Sequence, residues 1–196
     1  MEAKIRELLL AEHPQVANLP LDPDENTFAP QCGRVTEETY VGDWFGRGAL
    51  ENHEKYEDGY VVHFKADREP DDGRVILAGS WRTDHDGVTS ADKQNDKAMF
   101  RYHARSVYAV MSVENPTHPI RVDLFQDGAL PGVAAGADVK SDSRGSYIEV
   151  SEQRMYYLIK NAALTSHLLT LAPEARGFTL HSFTYGNNCQ QNFDEK

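Results

Sequence analysis

The chain has no run of ~18–20 apolar residues, so no segment is long enough to span a bilayer as a helix. It has no cluster of basic residues. Its 20 Lys and Arg stand against 31 Asp and Glu, a formal net charge of −11. Phosphate backbones are held by clustered Lys and Arg that release counterions, so nucleic acid is excluded as a partner. Cysteine is scarce: Cys32 and Cys189 stand far apart, with no Cys-x-x-Cys between them. That removes the thiol pair needed for disulfide exchange. The eight histidines, at 13, 53, 63, 85, 103, 118, 167 and 181, show no zinc spacing such as His-Glu-x-x-His. No Gly-x-Ser-x-Gly elbow marks a hydrolase. Met1–Leu10 carries acidic residues and no long apolar core, so it does not read as a secretory signal, and the compartment stays open.

What is present is strand pattern. Its length of 196 residues fits one domain with a small appendage. Val75–Thr83 and Ala98–Val113 are rich in β-branched and aromatic residues, and much of their order alternates. Phe100 and Tyr102 share a face with Ala98 and Ala104, and Val107, Ala109, Met111 and Val113 make another apolar face. The intervening Asp84–Lys97 reads as a loop too polar to bury. Further strands are expected at Glu38–Val41, Gly59–Ala66, Ile120–Phe125, Ser146–Val150, Arg154–Ile159, Ser166–Ala172 and Phe178–Tyr185. Ala129–Gly145 reads as a loop. Strands this short and this regularly spaced predict an all-β, jelly-roll-like antiparallel β-sandwich. Ahead of it, Ile5, Leu8 and Leu9 form a short apolar stripe on a helix over Glu2–Glu12, and Asn18–Pro30, with Pro20, Pro23 and Pro30, reads as an extended linker. The expected division is therefore 1–30 helix and linker, 31–186 sandwich, and 187–196 polar tail.

Cys32 and Cys189 flank the first and last predicted strands. Where those strands run side by side, a disulfide closing the two ends of the domain is geometrically allowed; the other reading is two independent thiols.

Several motifs, in order, resemble one known module. Thr36-Glu-Glu-Thr-Tyr-Val-Gly42 is similar to its opening, Leu77-Ala-Gly-Ser-Trp81 to its L-x-G-x-W strand, and Phe100–Val110 to its F-x-A-x-x-V-x-L-V strand pair. Asp127-Gly128, Pro131-Gly132, Gly136–Val139 and Glu152–Tyr156 follow its order, and Phe183-Thr-Tyr-Gly186 matches its closing F-T-F-G. The module is the C-terminal domain of DipZ-like thiol:disulfide interchange proteins and related redoxin proteins, and the match runs over roughly Phe28–Gly186. The resemblance implies a jelly roll like a carbohydrate-binding module, following a thioredoxin domain whose last helix resembles Ala3–Glu12. It implies no catalytic residue here, because the redox motif has no counterpart in this chain.

The function expected from these readings is a non-catalytic accessory module that binds carbohydrate or a similar polar ligand. The competing class is an interaction domain that docks on a thioredoxin-like domain or redox partner. Sugar rings are bound by exposed aromatic faces beside a few polar groups. Trp44, in a glycine-rich loop, and Tyr156 are the aromatic candidates, while Trp81 reads as core. Arg101, His103, Arg121 and Asp123 are expected on one outward sheet face, where they would line a binding surface or form a solvated one. Asp84-His-Asp-Gly87 spaces oxygen atoms like a calcium loop but lacks the distal Glu. It reads as an acidic turn, with Asp84 and Asp86 the ligands if a metal bound; Asp138 and Asp142 are weaker candidates still. No metal and no cofactor are predicted. A paired-carboxylate glycosidase needs only two acids close in space, and 31 acidic residues supply chance pairs, so that class rests on no pattern.

Overall fold

A computed structural model describes residues 7–10, 12–18, 33–42, 49–52, 57–92 and 95–187. The chain divides into two compact units, Met1–Cys32 and Gly33–Lys196. In the first, residues 7–9 are helical and Pro14–Asn18 forms a 3-10 turn. Leu8 and Leu9 of the expected stripe are exposed there.

The second unit is the predicted β-structure. Its strands are β1 Thr39–Tyr40, β2 Val61–Phe64, β3 Val75–Asp84, β4 Gly87–Ser90, β5 Lys97–Val113, β6 Ile120–Gln126, β7 Lys140–Asp142, β8 Gly145–Val150, β9 Arg154–Pro173 and β10 Phe178–Gly186. Every strand ladder is antiparallel. The order is β1-β10-β4-β3-β5-β9-β6-β8-β7, with β2 on β3 and an extra β10–β5 ladder. That extra ladder closes a circuit, β3–β4–β10–β5–β3. The long strand β5 pairs with β3 through its first residues, with β10 through its second half and with β9 along most of its length, and the inward side chains of the sandwich fill one core.

The burial phase of β5 shows how this is done. Ala98, Phe100, Tyr102 and Ala104 point inward, Ser106 and Val107 are buried in succession, and Ala109, Met111 and Val113 then continue inward. The two faces expected as separate segments are one strand whose phase flips at a bulge. Its partner β9 likewise joins two expected strands. Ser106 faces Lys160 but Ala104 faces Thr165, so two steps along β5 match five along β9. The excess carries Asn161, which is buried. Its Nδ2 donates to Tyr102 Oη and Ala104 O, each at 3.1 Å, and its Oδ1 accepts from Gln126 Nε2 at 2.9 Å. A polar side chain inside the bend thus ties three strands, and most buried amides are satisfied by bonds of this kind.

Two expected loops are corrected. Ala129–Gly145 contains a 3-10 turn at Gly132–Ala134 and β7, which pairs with β8. Within Asp84–Lys97, Gly87–Ser90 forms β4 with all four residues buried. Polar side chains reach burial there because they find partners: Ser90 Oγ donates to Ala175 O at 3.0 Å, and Thr89 Oγ1 lies 2.9 Å from Thr179 Oγ1. Buried Asp96 accepts from the amides of Ser80, Ala91 and Asp92 at 2.6, 2.9 and 2.8 Å.

The motif residues are structural. Trp81 is 0 % exposed and donates from Nε1 to Ala78 O at 2.8 Å. Gly79 has φ +90°, and a Cβ there would overlap Asp96, so Leu77-Ala-Gly-Ser-Trp81 needs its glycine for both conformation and contact. At Gly42 a Cβ would overlap the backbone of the β3–β4 turn. Phe183 stacks on Phe100 at 3.7 Å between ring centroids.

Candidate functional site

Arg101, His103, Arg121 and Asp123 share the outward face of one sheet. Arg101 faces Leu168, and Asp123 faces Ala172; residues paired across a ladder point to the same side. The face does not bring them together. Leu168 and Ala172 are four residues apart on β9, about 13 Å of strand, and β5 and β6 are two strand spacings of about 4.8 Å apart. The four residues form two separate groups.

At one end, Arg121 is enclosed by carboxylates. Its Nε donates to Asp123 Oδ1 at 2.7 Å, and its Nη1 and Nη2 donate to Asp142 at 2.5 and 3.2 Å. Glu174 lies 3.5 Å from Nε and also pairs with Arg144 at 2.7 Å. The guanidinium carbon sits 3.7 Å from the centroid of the Tyr147 ring. Arg121 is only 10 % exposed in its side chain. The Asp142 hydrogen bond raises the pKa of Arg121 and lowers that of Asp142, which keeps both charged. With Nε, Nη1 and Nη2 each bonded to a carboxylate and the Tyr147 ring over its plane, Arg121 fastens β6, β7 and β8. Asp142 also accepts from the Arg144 and Gly145 amides. It is a turn anchor here, as is Asp138, which binds Arg154 at 2.7 Å and the Tyr157 amide at 2.7 Å.

The other end is open. Arg101 Nε donates to Pro70 O at 3.2 Å, and its guanidinium pairs with Glu69. His103 is fixed through its backbone: its amide donates to Thr36 Oγ1 at 2.7 Å and its carbonyl accepts from the Thr36 amide at 3.0 Å. Thr36 Oγ1 donates to Asp72 at 3.2 Å. Thr36 is thus the clasp that brings residues 34–39 and the 72–74 turn against β5. The His103 ring rests Nδ1 on Ser166 Oγ at 3.0 Å, and Nε2 makes no hydrogen bond among the described residues.

These segments frame a groove of about 1150 Å³. Among the described residues, His103 is the one candidate site residue from the sequence that lines it; Arg34, Glu37, Glu38, Asp72, Arg74 and Ser166, with the hydroxyls of Thr36 and Thr39, supply other polar groups. Among the described residues, the side chains of Glu38 and Asp72 meet the hydroxyls of Thr184 and Thr36. The groove therefore offers acceptors and donors at close range, which suits a hydroxyl-rich ligand of little net charge. The lining contains no aromatic residue among those described. Sequence reasoning missed Glu37, Asp72 and Ser166. The one available signal was Thr36-Glu-Glu, whose acids follow the clasp.

The remaining candidates fall elsewhere. Tyr156 is corrected: it is 1 % exposed, its hydroxyl donates to Glu152 O at 2.9 Å, and Arg154 covers its ring at 3.7 Å. Apolar burial against the Ala109 register draws it inward, so it offers no face to a sugar. Asp84 accepts from the His85 amide at 2.8 Å, and the Asp86 carbonyl lies 2.9 Å from His181 Nδ1. Among the described residues no group of three or more His, Cys, Asp or Glu is placed to hold a metal. Trp44, Cys32 and Cys189 lie outside the described residues.

No curated protein matches the chain. Solved structures with similarity include an active-site mutant of a family two carbohydrate esterase from Clostridium thermocellum, at 12 % identity and TM-score 0.43, covering 57 % of this chain and 31 % of that one. Another is a family two carbohydrate esterase of the same organism in complex with cellohexaose, at 11 % identity and TM-score 0.41, covering 65 % and 31 %. A third is the Cellvibrio japonicus family two carbohydrate esterase, at 12 % identity and TM-score 0.44, covering 63 % and 32 %. This chain spans about a third of those proteins' length. A model described as the thioredoxin-like C-terminal domain matches residues 36–186, the region whose strands, clasp and glycine contacts are described above. The chain belongs to the thioredoxin-like C-terminal domain family.

Proposed function

We propose that residues 31–186 form an accessory module that binds carbohydrate in the groove beside His103, with 1–30 a helix and linker and 187–196 a tail. The observation that carries this reading is the groove itself. It is about 1150 Å³ in volume and lined by Glu37, Asp72 and Arg74 around His103, whose ring nitrogen Nε2 has no partner among the described residues. Neutral sugars are held by such alternation, because each hydroxyl donates and accepts at once. Trp44 is carried into the same test as the stacking candidate.

The experiment is a glycan array followed by calorimetric titration of neutral oligosaccharides. His103→Ala and Glu37→Ala each remove one ligand hydrogen bond worth about 1.5 kcal/mol, so each is expected to weaken binding about tenfold. Trp44→Ala is expected to weaken it further. A wild-type chain that binds no glycan ends the proposal, and full affinity in His103→Ala moves the site elsewhere.

A second reading is favoured by one observation. On the β6–β7 connection Leu130 is 52 % exposed and Val133 105 %, and Met155 at the start of β9 is 53 % exposed. Where exposed apolar side chains join into one patch they mark a contact surface, and Leu130 and Val133 stand three residues apart on one connection. In this reading the module docks on a thioredoxin-like domain or redox partner. Leu130→Ser with Val133→Ser would weaken that docking and leave glycan titrations unchanged.

A further inference from the structure

A second cluster lies one residue from the groove wall. Thr165 Oγ1 is 2.8 Å from His167 Nε2, and His167 Nδ1 is 2.6 Å from Asp127 Oδ2. This is a hydroxyl, an imidazole and a carboxylate in line, the order of parts that activates a nucleophilic hydroxyl. Asp127 is fixed on β9 by its backbone as well as its side chain. Its Oδ1 accepts from the Leu168 amide at 2.8 Å, and its own amide donates to Leu168 O at 2.8 Å. Its φ of +52° makes it the one non-glycine with positive φ among the described residues. Backbone strain of this kind persists where surrounding contacts over-determine it.

Proton positions follow from the partners. Burial alone would raise the Asp127 pKa. Hydrogen bonds from His167 and the Leu168 amide, with the charges of His167 and Arg101, outweigh it and hold the carboxyl below its ordinary value. An ionised carboxylate only accepts, so Nδ1 carries a proton, and in the neutral ring Nε2 then presents its lone pair to Thr165. The Thr165 hydroxyl has one proton and two acceptors in reach, Nε2 at 2.8 Å and Ala163 O at 3.4 Å; the shorter contact takes it. Thr165 is exposed, and His167 is 22 % exposed in its side chain, so solution reagents reach the hydroxyl. The neighbouring Ser166–His103 pair differs in one respect: among the described residues no carboxylate hydrogen-bonds its ring.

We propose that Thr165 is an acyl-acceptor hydroxyl, activated by His167 and positioned through Asp127, that takes an acyl group from an activated ester or thioester. Thr165 Oγ1 attacks the acyl carbonyl carbon while its proton passes to His167 Nε2. The bond from that carbon to the phenolic oxygen or thiol sulfur breaks, and His167 returns the proton to the leaving group. The product is an ester on Thr165, and the chain acts as the acceptor in a single turnover. This goes beyond the groove reading and does not depend on it.

The test uses the full chain with p-nitrophenyl acetate, following nitrophenolate release and locating the acetyl group by peptide fragmentation. Wild type is expected to give a stoichiometric burst with the acetyl group on Thr165. Thr165→Ser keeps the label at position 165, Thr165→Val loses it, and His167→Gln slows labelling about a hundredfold. Circular dichroism confirms that each variant is folded. If His167→Gln does not fold, the two Thr165 variants, at an exposed position, decide the outcome. No burst from wild type, an acetyl group placed on another residue, label retained in Thr165→Val, or a labelling rate unchanged in folded His167→Gln overturns the proposal.

Discussion

The two ends of one outward sheet face use their polar groups in opposite ways. At the β6 end, Arg121 has carboxylates on three sides and the Tyr147 ring over its plane. At the β5 end, His103 has one hydroxyl on one nitrogen, and Glu38 and Asp72 of the groove meet hydroxyls rather than cations. Both ends look alike in sequence, a basic residue two positions from another polar one on an alternating strand. The difference is what neighbouring strands deliver. Asp142 comes from β7 and Glu174 from the turn after β9, whereas residues 34–39 and the 72–74 turn leave a groove beside the His103 ring. Polar groups that are already satisfied hold a fold together, and groups left open are what a ligand can use.

The largest test of that contrast is stability. Arg121→Met leaves Asp123, Asp142 and Glu174 facing one another without a cation, and is expected to cost about 2–3 kcal/mol. That lowers the thermal midpoint by roughly 5–10 °C in calorimetry. His103→Ala, at the open end, is expected to change stability by less than about 0.5 kcal/mol. Equal losses from the two variants would erase the distinction.

Acid unfolding sharpens the same point. The Arg121 hydrogen bond holds the Asp142 carboxyl below its ordinary value, and Asp138 is held low by Arg154 and the Tyr157 amide against the opposing effect of burial. A carboxylate whose folded pKa is depressed stabilises the fold above its unfolded pKa of about 3.9, and that contribution is lost as pH falls through the folded value. The thermal midpoint is therefore expected to fall steadily below about pH 4. In Arg121→Met the slope should be shallower, since the Asp142 contribution is reduced to that of the Arg144 and Gly145 amides. An unchanged slope would mean that Arg121 does not set the Asp142 ionisation.

The family and the sandwich were legible in the sequence because the motif residues are the ones that burial and backbone geometry constrain. Leu77, Trp81, Phe100 and Phe183 are core, and Gly79 and Gly42 sit where no Cβ fits. Strand alternation revealed which of Arg101, His103, Arg121 and Asp123 point outward. It carried no information on which strands lie beside them, so the carboxylates around Arg121 were invisible. β4 was hidden for a related reason. Gly-Val-Thr-Ser reads as loop until Thr179 and Ala175, about ninety residues on, supply its partners. Tyr156 and Tyr157 look interchangeable in sequence, and only the bulged β5–β9 register decides that Tyr156 goes inward.

The smallest effect expected at the open end belongs to Ser166. Its hydroxyl is the sole described partner of the His103 ring, at 3.0 Å from Nδ1, and it lines the groove. Ser166→Ala removes neither charge nor buried area, so stability should stay within about 0.5 kcal/mol of wild type. What changes is the orientation of the imidazole. Without its hydroxyl anchor the ring samples other rotamers, and a ligand must fix it again at an entropic cost. A penalty of about 0.6 kcal/mol lowers glycan affinity about threefold, well short of the tenfold expected for losing the ring itself. Calorimetric titration of the wild type beside Ser166→Ala, His103→Ala and the double variant gives the coupling. If the double variant is no weaker than His103→Ala, the serine acts through the histidine; if the two losses add, Ser166 touches the ligand on its own.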